Sequence, residues 1–290
     1  MKVRLECFPC FVRQALIAAS QITDDPVQVK EIIDLSLEPI RNARLSDTPA
    51  HIATEIYRRI RARLNGTDAF RGIKAQCTET ALKIMRDFEP MIERSPDPLE
   101  AAIRASVAGN VIDFGIYTDI NLDSIVENIM HEPFGILSLS ELKSDLPHAK
   151  SILFLADNAG ELVFDVPLIR HLLQFGSVKV AVKSVPVIND ATMEDAMASG
   201  LPPGIELIEN GSDCVGTILE TCSDEFRRAF EDADLIISKG QANFETLDDV
   251  KDANIYFLFK AKCEVTAGMV GVEKDSLCAV SNRALLRLQA

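Results

Sequence analysis

Four short polar runs each follow a stretch of apolar residues. Between them they hold the carboxylate, amide, ammonium and thiol groups that metal-assisted chemistry uses. Asp157-Asn158-Ala159-Gly160-Glu161 follows the apolar run Ser151–Ala156, and Pro186-Val187-Ile188-Asn189-Asp190 lies one short loop beyond Val178–Val182. Lys239-Gly240-Gln241-Ala242-Asn243-Phe244-Glu245 follows Leu235–Ser238, and Lys260-Ala261-Lys262-Cys263 follows Ile255–Phe259. Asp157, Asn158 and Asp190 are hard oxygen donors. Such a set suits Mg²⁺ or Mn²⁺, with positions left open for water and a phosphate oxygen. No His or Cys cluster nearby would select zinc. Lys239 ends its run where it could meet a phosphate, and Gly240 lets backbone N–H groups approach the same anion. Gly160 allows a tight turn into a helix whose N-terminus faces that anion.

Each run alone has a bland reading. An Asp-Asn pair after a strand commonly caps a helix or makes a turn. A Lys-Gly pair commonly makes a solvated turn, and Asn189-Asp190 could simply cap a helix starting at Ala191. Their joint occurrence at successive strand ends is what argues for a site, because ligands of open α/β sheets bind beyond the C-terminal ends of the strands.

The elements that must position these groups fall into two halves. Up to about residue 147 the pattern is helical, with apolar residues at helical spacing over Phe11–Ser20 and Val27–Leu37. A third helix opens at Thr48-Pro49, Thr as cap and Pro at the first position, with Ile52, Ile56 and Ile60 on one face. Further helices are predicted over Phe70–Phe88 and Pro98–Phe114, with a shorter one after Asp123. No strand is expected before Lys150. From residue 148 onward strands alternate with helices: Ser151–Ala156, Val178–Val182, Ile205–Ile208, Leu235–Ser238 and Ile255–Phe259, with Ser276–Val280 as a last, edge strand. Between them helices are expected over Leu162–Gln174, Ala191–Ser199 and Thr217–Ala229. This alternation predicts an α/β fold with a mainly parallel sheet and right-handed crossovers. The expected domains are 1–147, helical, and 148–290, carrying the site.

Two further features stand apart. Ser106, Asn110 and Asp113 recur on one side of an otherwise apolar helix built on Leu99, Ile103, Val107 and Val111, where they could line a cleft between the halves or simply face solvent. Gly109 beside them favours close approach of another element. Cys7 and Cys10 form a lone CxxC at a helix start, open to three readings: half a zinc site, a redox pair, or two partly buried thiols. Cys263, at a strand end, could join them in space. His51, His131, His148 and His171 show no ligand spacing.

Composition narrows the function. The chain has 290 residues, 47% of them hydrophobic, enough for one large domain or two ordinary ones with full cores. No apolar run approaches the length of a membrane span. Met1–Cys7 meets Glu6 before any apolar stretch develops, unlike a signal peptide, so a cytoplasmic location is expected. A net charge of −14 argues against nucleic acid as partner. Small phosphorylated metabolites remain open, because a metal ion and one or two lysines reverse the sign locally. Seven cysteines, an odd number, argue against a disulfide framework.

Taken together the motifs resemble the DUF89 family of metal-dependent damage-control phosphatases, in particular its archaeal and bacterial subfamily. The resemblance is carried by Cys7-Phe8-Pro9-Cys10, Thr48-Pro49-Ala50, Gly109-Asn110-Val111-Ile112-Asp113, Asp157-Asn158-Ala159-Gly160-Glu161, Asn189-Asp190-Ala191-Thr192, Lys239–Glu245 and Lys262-Cys263, in the family's order along nearly the whole chain. It implies a helical domain joined to a three-layer, Rossmann-like α/β domain. It also implies a divalent ion (Mn²⁺, Co²⁺ or Ni²⁺) at Asp157, Asn158 and Asp190, phosphate recognition by Lys239–Asn243, and phosphomonoester substrates such as sugar phosphates, phosphopantetheine derivatives or side-reaction metabolites. Cys7, Cys10 and the Lys262-Cys263 pair resemble marks of this subfamily. Other subfamilies carry Arg-Thr-x-Lys near Lys262; here Phe259 and Lys260 stand in its first two positions, so their substrate preference does not transfer.

The expected chemistry is hydrolysis in which the nucleophile is water or a carboxylate, Asp157 being the better-placed one. Water is favoured, since one residue can hardly be both tight ligand and free nucleophile, with Asp190 or Glu245 accepting its proton, Lys239 and Lys262 holding phosphate oxygens, and Glu161 and Gly240 lining the site. Asn110 and Asp113 would touch the organic part of the substrate, and Asn243 would orient its hydroxyls. Two rivals predict otherwise. An S-adenosylmethionine-dependent carboxyl methyltransferase would need a Gly-rich loop where Asp157–Glu161 stands. A non-catalytic thiol module built on Cys7, Cys10 and Cys263 would change state with oxidation and release no phosphate.

Overall fold

The computed structural model describes residues 1–109 and 130–289. The expected helix after Asp123, the end of the Pro98–Phe114 helix and the candidate residues Asn110 and Asp113 fall outside them.

The chain begins with α1 (Cys7–Ile22), α2 (Pro26–Asn42) and α3 (Pro49–Arg63). Local chemistry sets their starts. Asp25 accepts from the Val27 amide with Pro26 at the first position, and Thr48 accepts from the His51 amide with Pro49 next. Their apolar faces meet in a small core of Phe11, Ala15, Ala19, Ile32, Ile52, Ile56 and Ile60. α4 (Arg71–Glu93) runs beyond the predicted Phe88, and α5 (Pro98–Ala108) is capped by Asp97.

These two helices belong to the sheet rather than to the first three. Ala81, Ile84, Phe88, Ile103 and Val107 share one core with Ile152, Phe154, Val178, Val180 and Ile237. The next residues in the strands, Leu153, Leu155, Ala181 and Ile236, point to the other face and pack with Phe226, Phe244 and Phe257. This period-two split of continuous apolar strands is the mark of a sheet covered on both sides.

Among the described residues the sheet has seven strands: β1 (Phe134–Leu137), β2 (Ser151–Leu155), β3 (Ser177–Val182), β4 (Glu206–Glu209), β5 (Leu235–Lys239), β6 (Ile255–Lys260) and β7 (Leu277–Ser281). Their order is β1-β7-β6-β5-β2-β3-β4, parallel throughout except for the antiparallel β6–β7 pair. The helices between them are α6 (Leu139–Asp145), α7 (Glu161–Leu172), α8 (Met193–Ala198), α9 (Asp224–Glu231), α10 (Gln241–Leu247), α11 (Glu264–Val270) and α12 (Asn282–Gln289). From β2 the chain builds outward through β3 to β4, then returns to lay β5 on β2's other side. The topological switch point therefore lies between the C-terminal ends of β2 and β5.

Three expectations need correction. A strand does precede Lys150: β1 pairs with β7, so β7 lies inside the sheet and β1 forms the edge. Four residues interrupted by Gly135 are too short for a periodic signal. The helix expected over Thr217–Ala229 starts only at Asp224, where Ser223 accepts from the Phe226 amide, after a single 3₁₀ turn at Leu219–Thr221. The helix expected at Ala191 starts at Met193 instead. Thr192 is its cap, in a reciprocal box with Asp195.

Candidate active site

The switch point is where the candidate residues gather. After β2 the backbone passes through Ala156 to Asp157 and Asn158, and α7 begins at Glu161 without a side-chain cap. After β3 it loops through Pro186 and turns back at Val187–Asp190, closed by the Asp190 amide on the Val187 carbonyl at 3.0 Å. The two segments are stitched together by backbone bonds. The Ala191 amide donates to the Asp157 carbonyl at 2.8 Å and the Ala159 amide to the Asn189 carbonyl at 3.0 Å, making an Asn158–Asp190 bridge. Asp157, Asn158 and Asp190 thus come from adjacent strand ends that cannot drift apart independently. None of them caps a helix, since Gly160 and Thr192 hold those positions.

The turn that delivers Asp190 is strained. Ile188 has φ +48°, a left-handed conformation that a β-branched residue adopts only when its surroundings enforce it.

Gly240 opens the site from the β5 side. Its φ is +79°, and a Cβ there would overlap the Asp157 carboxylate, with Oδ1 2.7 Å away. The residue is glycine because Asp157 occupies the side-chain space. Gly160 and Gly109 act similarly for packing: a Cβ on Gly160 would stand 2.9 Å from the Cβ of Cys77, and one on Gly109 would stand 2.9 Å from that of Phe164.

Electrostatics at this point are crowded with negative charge. Burial pushes Asp190 up to about 7; the Lys183 ammonium, 3.5 Å away, opposes the rise and the Asp157 charge adds to it. Burial and then the Asp157 charge push Glu161 up to about 7 as well, against Lys239 and Lys262. Asn158 donates through Nδ2 to Glu161 Oε1 at 2.6 Å, and its Nδ2 lies 3.4 Å from Asp157 Oδ2. With the amide nitrogen committed to Glu161, the carbonyl oxygen Oδ1 is left as the donor atom for a cation. Among the described residues no three His, Cys, Asp or Glu side chains converge into a ready-made ion cage. The donor set is different in kind: two carboxylates and one amide oxygen, with a third carboxylate behind. Such a set fits a hard divalent cation, whose charge would offset the burial and the added Asp157 repulsion that push Asp190 and Glu161 toward protonation.

Lys239 is not in a solvated turn. It is fully buried, donating to Asp165 Oδ1 at 2.6 Å and to the Ser106 carbonyl at 2.8 Å, with Glu161 Oε2 at 3.9 Å. It stands behind Glu161 with two of its donors already engaged. Ser106, offered as part of a cleft-lining stripe, is likewise buried and donates to Asp165 Oδ1 at 2.6 Å.

Asn243 also departs from expectation. Its Nδ2 donates to the Lys239 carbonyl at 2.8 Å and the Ala156 carbonyl at 3.3 Å, while Oδ1 accepts from Thr217 at 2.8 Å. With both ends of the amide engaged in the core, it ties the ends of β2 and β5 together, and both its N–H donors are spent on backbone carbonyls. Glu245 sits on the far side of α10, accepting from Gln241 at 2.7 Å; burial pushes it up to about 7. It lines a wide groove of about 1160 Å³ with Glu6, Glu220, Asp248 and Glu264, a groove that none of Asp157, Asn158 and Asp190 lines. This groove lies away from the strand ends where the candidate side chains converge. Lys262 is exposed, its backbone amide held by Gln241 Oε1 at 3.0 Å, and its charge acts on Glu161.

The charges of Cys263 and Glu245 act on both Cys7 and Cys10, whose thiols are pushed up chiefly by burial. Cys263 caps α11, accepting from the Thr266 amide at 3.4 Å. Raised thiols of this kind are poor nucleophiles.

Sequence reasoning missed Lys183, Asp165 and Tyr57. Lys183 follows β3 as Lys239 ends β5, the same signal, and it reaches Asp190 and the carbonyls of Cys214 and Gly216. Asp165 is a lone carboxylate inside the apolar run Leu162–Ile169, an anomaly visible in the sequence. Tyr57, half-buried and pushed up by desolvation and then the Asp190 charge, carried no signal.

The chain matches, over residues 3–278, the family model described as the damage-control phosphatase ARMT1-like domain. It is 37% identical to an uncharacterized protein of Methanocaldococcus jannaschii, covering 94% of this chain and 93% of that one. It is 32% identical to damage-control phosphatases of Pyrococcus horikoshii, covering 98% and 99%, and of Archaeoglobus fulgidus, covering 96% and 99%. The crystal structure of a DUF89 family protein from Pyrococcus horikoshii superposes with a TM-score of 0.89, covering 97% of this chain and 99% of that one at 32% identity.

Proposed function

The chain belongs to the damage-control phosphatase ARMT1-like family, and on that premise we propose that it is a metal-dependent phosphatase acting on small phosphomonoesters, sugar phosphates and phosphopantetheine-like or damaged phosphometabolites among them. The observation that supports this reading is the backbone stitching of 157–159 to 189–191, which joins the segments carrying Asp157, Asn158 and Asp190 at the switch point.

In this reading Asp157, Asn158 and Asp190 hold a divalent ion (Mn²⁺, Co²⁺, Ni²⁺ or Mg²⁺). When bound, that ion supplies Lewis-acid polarisation of the phosphate and offsets the charge that builds as the P–O bond breaks. The chain's own groups do the rest. Lys262 meets the phosphate from the open side. Lys239 faces the same anion with its remaining N–H from beneath. Glu161 holds the Asn158 amide in place. Asp190 lies 3.5 Å from Lys183, whose charge works against the burial that raises it and favours the carboxylate form that takes a proton from the attacking water. The wide acidic groove around Glu245 does not suit a phosphate, because its charge has the same sign.

The deciding experiment is phosphate release across a panel of divalent ions and phosphomonoesters. Release that needs a divalent ion and stops in excess chelator supports the reading. Release undiminished by chelator removes the metal, and no release together with calorimetric binding of S-adenosylmethionine turns the reading toward methyl transfer.

A further inference from the structure

Behind the strand-end carboxylates lies a second, fully enclosed polar cluster. Asp165 projects from the middle of α7, where every residue from Glu161 to Ile169 is buried, and is itself only 1% exposed. Burying a carboxylate in an apolar core costs several kcal/mol unless it is paired and hydrogen-bonded. Here one oxygen takes both partners: Oδ1 accepts from Lys239 at 2.6 Å and from Ser106 at 2.6 Å. The other oxygen, Oδ2, has no hydrogen-bond partner among the described residues.

A buried ion pair with one oxygen unsatisfied is a poor stabilising device, since well-packed apolar residues of the same volume usually do as well or better. What it does is direct. An ammonium has three N–H donors. Asp165 on α7 and the Ser106 carbonyl on α5 take two. Among the described residues the third donor has no acceptor within hydrogen-bond reach, Glu161 Oε2 standing at 3.9 Å. Glu161 therefore keeps its other oxygen on Asn158 Nδ2 at 2.6 Å, and that bond decides which end of the Asn158 amide is presented as a donor atom.

We propose that Asp165, with Ser106, is a positioning residue for the phosphatase site: it anchors the Lys239 ammonium so that Glu161 stays on Asn158 and the third Lys239 N–H stays turned to the substrate. The inference rests on the phosphatase reading. Without the Asp165 charge, Lys239 takes Glu161 as its counter-ion, closes the 3.9 Å gap and draws Glu161 off Asn158. Both phosphate positioning and the oxygen donor at Asn158 are then lost together.

The test uses the full chain, p-nitrophenyl phosphate and Mn²⁺. Asp165→Asn keeps the shape and the Oδ1 acceptor but removes the charge. It is expected to lower kcat by about thirtyfold or more with KM within about threefold, the pattern of a lost transition-state interaction. In the absence of substrate it is expected to weaken calorimetric Mn²⁺ binding by about tenfold, the usual cost of losing an outer partner of a metal ligand. Ser106→Ala, which leaves the charge in place, should lower kcat by roughly three- to tenfold, and the double variant should be no worse than Asp165→Asn, since the two act through one ammonium. A folded Asp165→Asn protein with kcat and Mn²⁺ affinity both within about threefold of the parent overturns the proposal. If that variant does not fold, Ser106→Ala at parental kcat overturns it. If the parent itself releases no phosphate, the phosphatase reading fails, and the Mn²⁺ comparison still decides the positioning role.

Discussion

Gly240 gives up its side-chain volume to the Asp157 carboxylate. The two residues end neighbouring parallel strands, and the contact lies where the chain reverses its winding direction across the sheet. Gly240→Ala must either push Asp157 out of place or abandon φ +79°, which costs about 1–2 kcal/mol in its own right. The expected result is a folded protein, slightly less stable, whose turnover and Mn²⁺ affinity both fall by roughly a hundredfold. Parental turnover in the alanine variant would mean that Asp157 is not where the chemistry occurs.

Asp157→Asn separates charge from shape at the same point. It removes the carboxylate whose charge adds to the burial that raises Asp190 and Glu161 and, in the proposed function, the first ligand of the ion. Thermal melts with and without Mn²⁺ are expected to show stabilisation of the parent and essentially none of the variant. Turnover should fall by about a hundredfold or more. A full Mn²⁺-dependent shift in the variant contradicts the ligand assignment.

Asn243 and Lys262 should part company. Asn243→Ala strips partners from the Ala156 and Lys239 carbonyls and from Thr217 inside the core, so a loss of about 2–4 kcal/mol in denaturant unfolding is expected. Lys262→Ala, at an exposed position, should leave the unfolding midpoint within experimental error and raise KM instead. The opposite pattern would put Asn243 in the site and Lys262 in the scaffold.

Glu245 provides a pH test away from the proposed ion. Burial raises its carboxyl to about 7 in the folded chain, against about 4.3 for an unfolded glutamate. Between those values the folded state binds more protons than the unfolded one, so stability falls as pH rises from about 4.3 to about 7, and the penalty is complete above that. Because Glu245 is only half-buried in its groove, about 1–2 kcal/mol is the expected size after allowing for solvent screening. Glu245→Gln should match the parent at pH 5 and exceed it at pH 8 in urea midpoints. Equal differences at both pH values would remove the titration from the explanation.

Much of this was legible in the sequence because strand ends are legible. Apolar runs such as Ser151–Leu155 and Leu235–Ser238 fixed where the chain leaves the sheet, so Asp157, Asn158, Lys239 and Gly240 could be placed at one edge before any coordinates. Asp190 was harder. Its placement depends on Thr192 rather than Asp190 capping α8, and on a turn through a left-handed Ile188 that no propensity predicts. What the sequence withheld is side-chain direction. Lys239 and Asn243 share a motif with Gly240, yet both turn inward, because strand and helix registers decide which face a residue meets and a short polar run carries no period of its own. β1 was invisible for a related reason: four half-exposed residues become a strand only through β7.

That pairing has a temporal side. Phe134 meets Leu277 about 140 residues further along the chain, whereas β2, β3, β4 and β5 come from one continuous stretch that also carries Asp157, Asp190 and Gly240. During synthesis the end of the sheet that carries Asp157 and Asp190 can therefore assemble while β1 still waits for its neighbour. Pulse-labelling of amides during refolding should find β2 and β5 protected before β1, leaving a late, exposed edge as the point at which nascent chains are most open to aggregation.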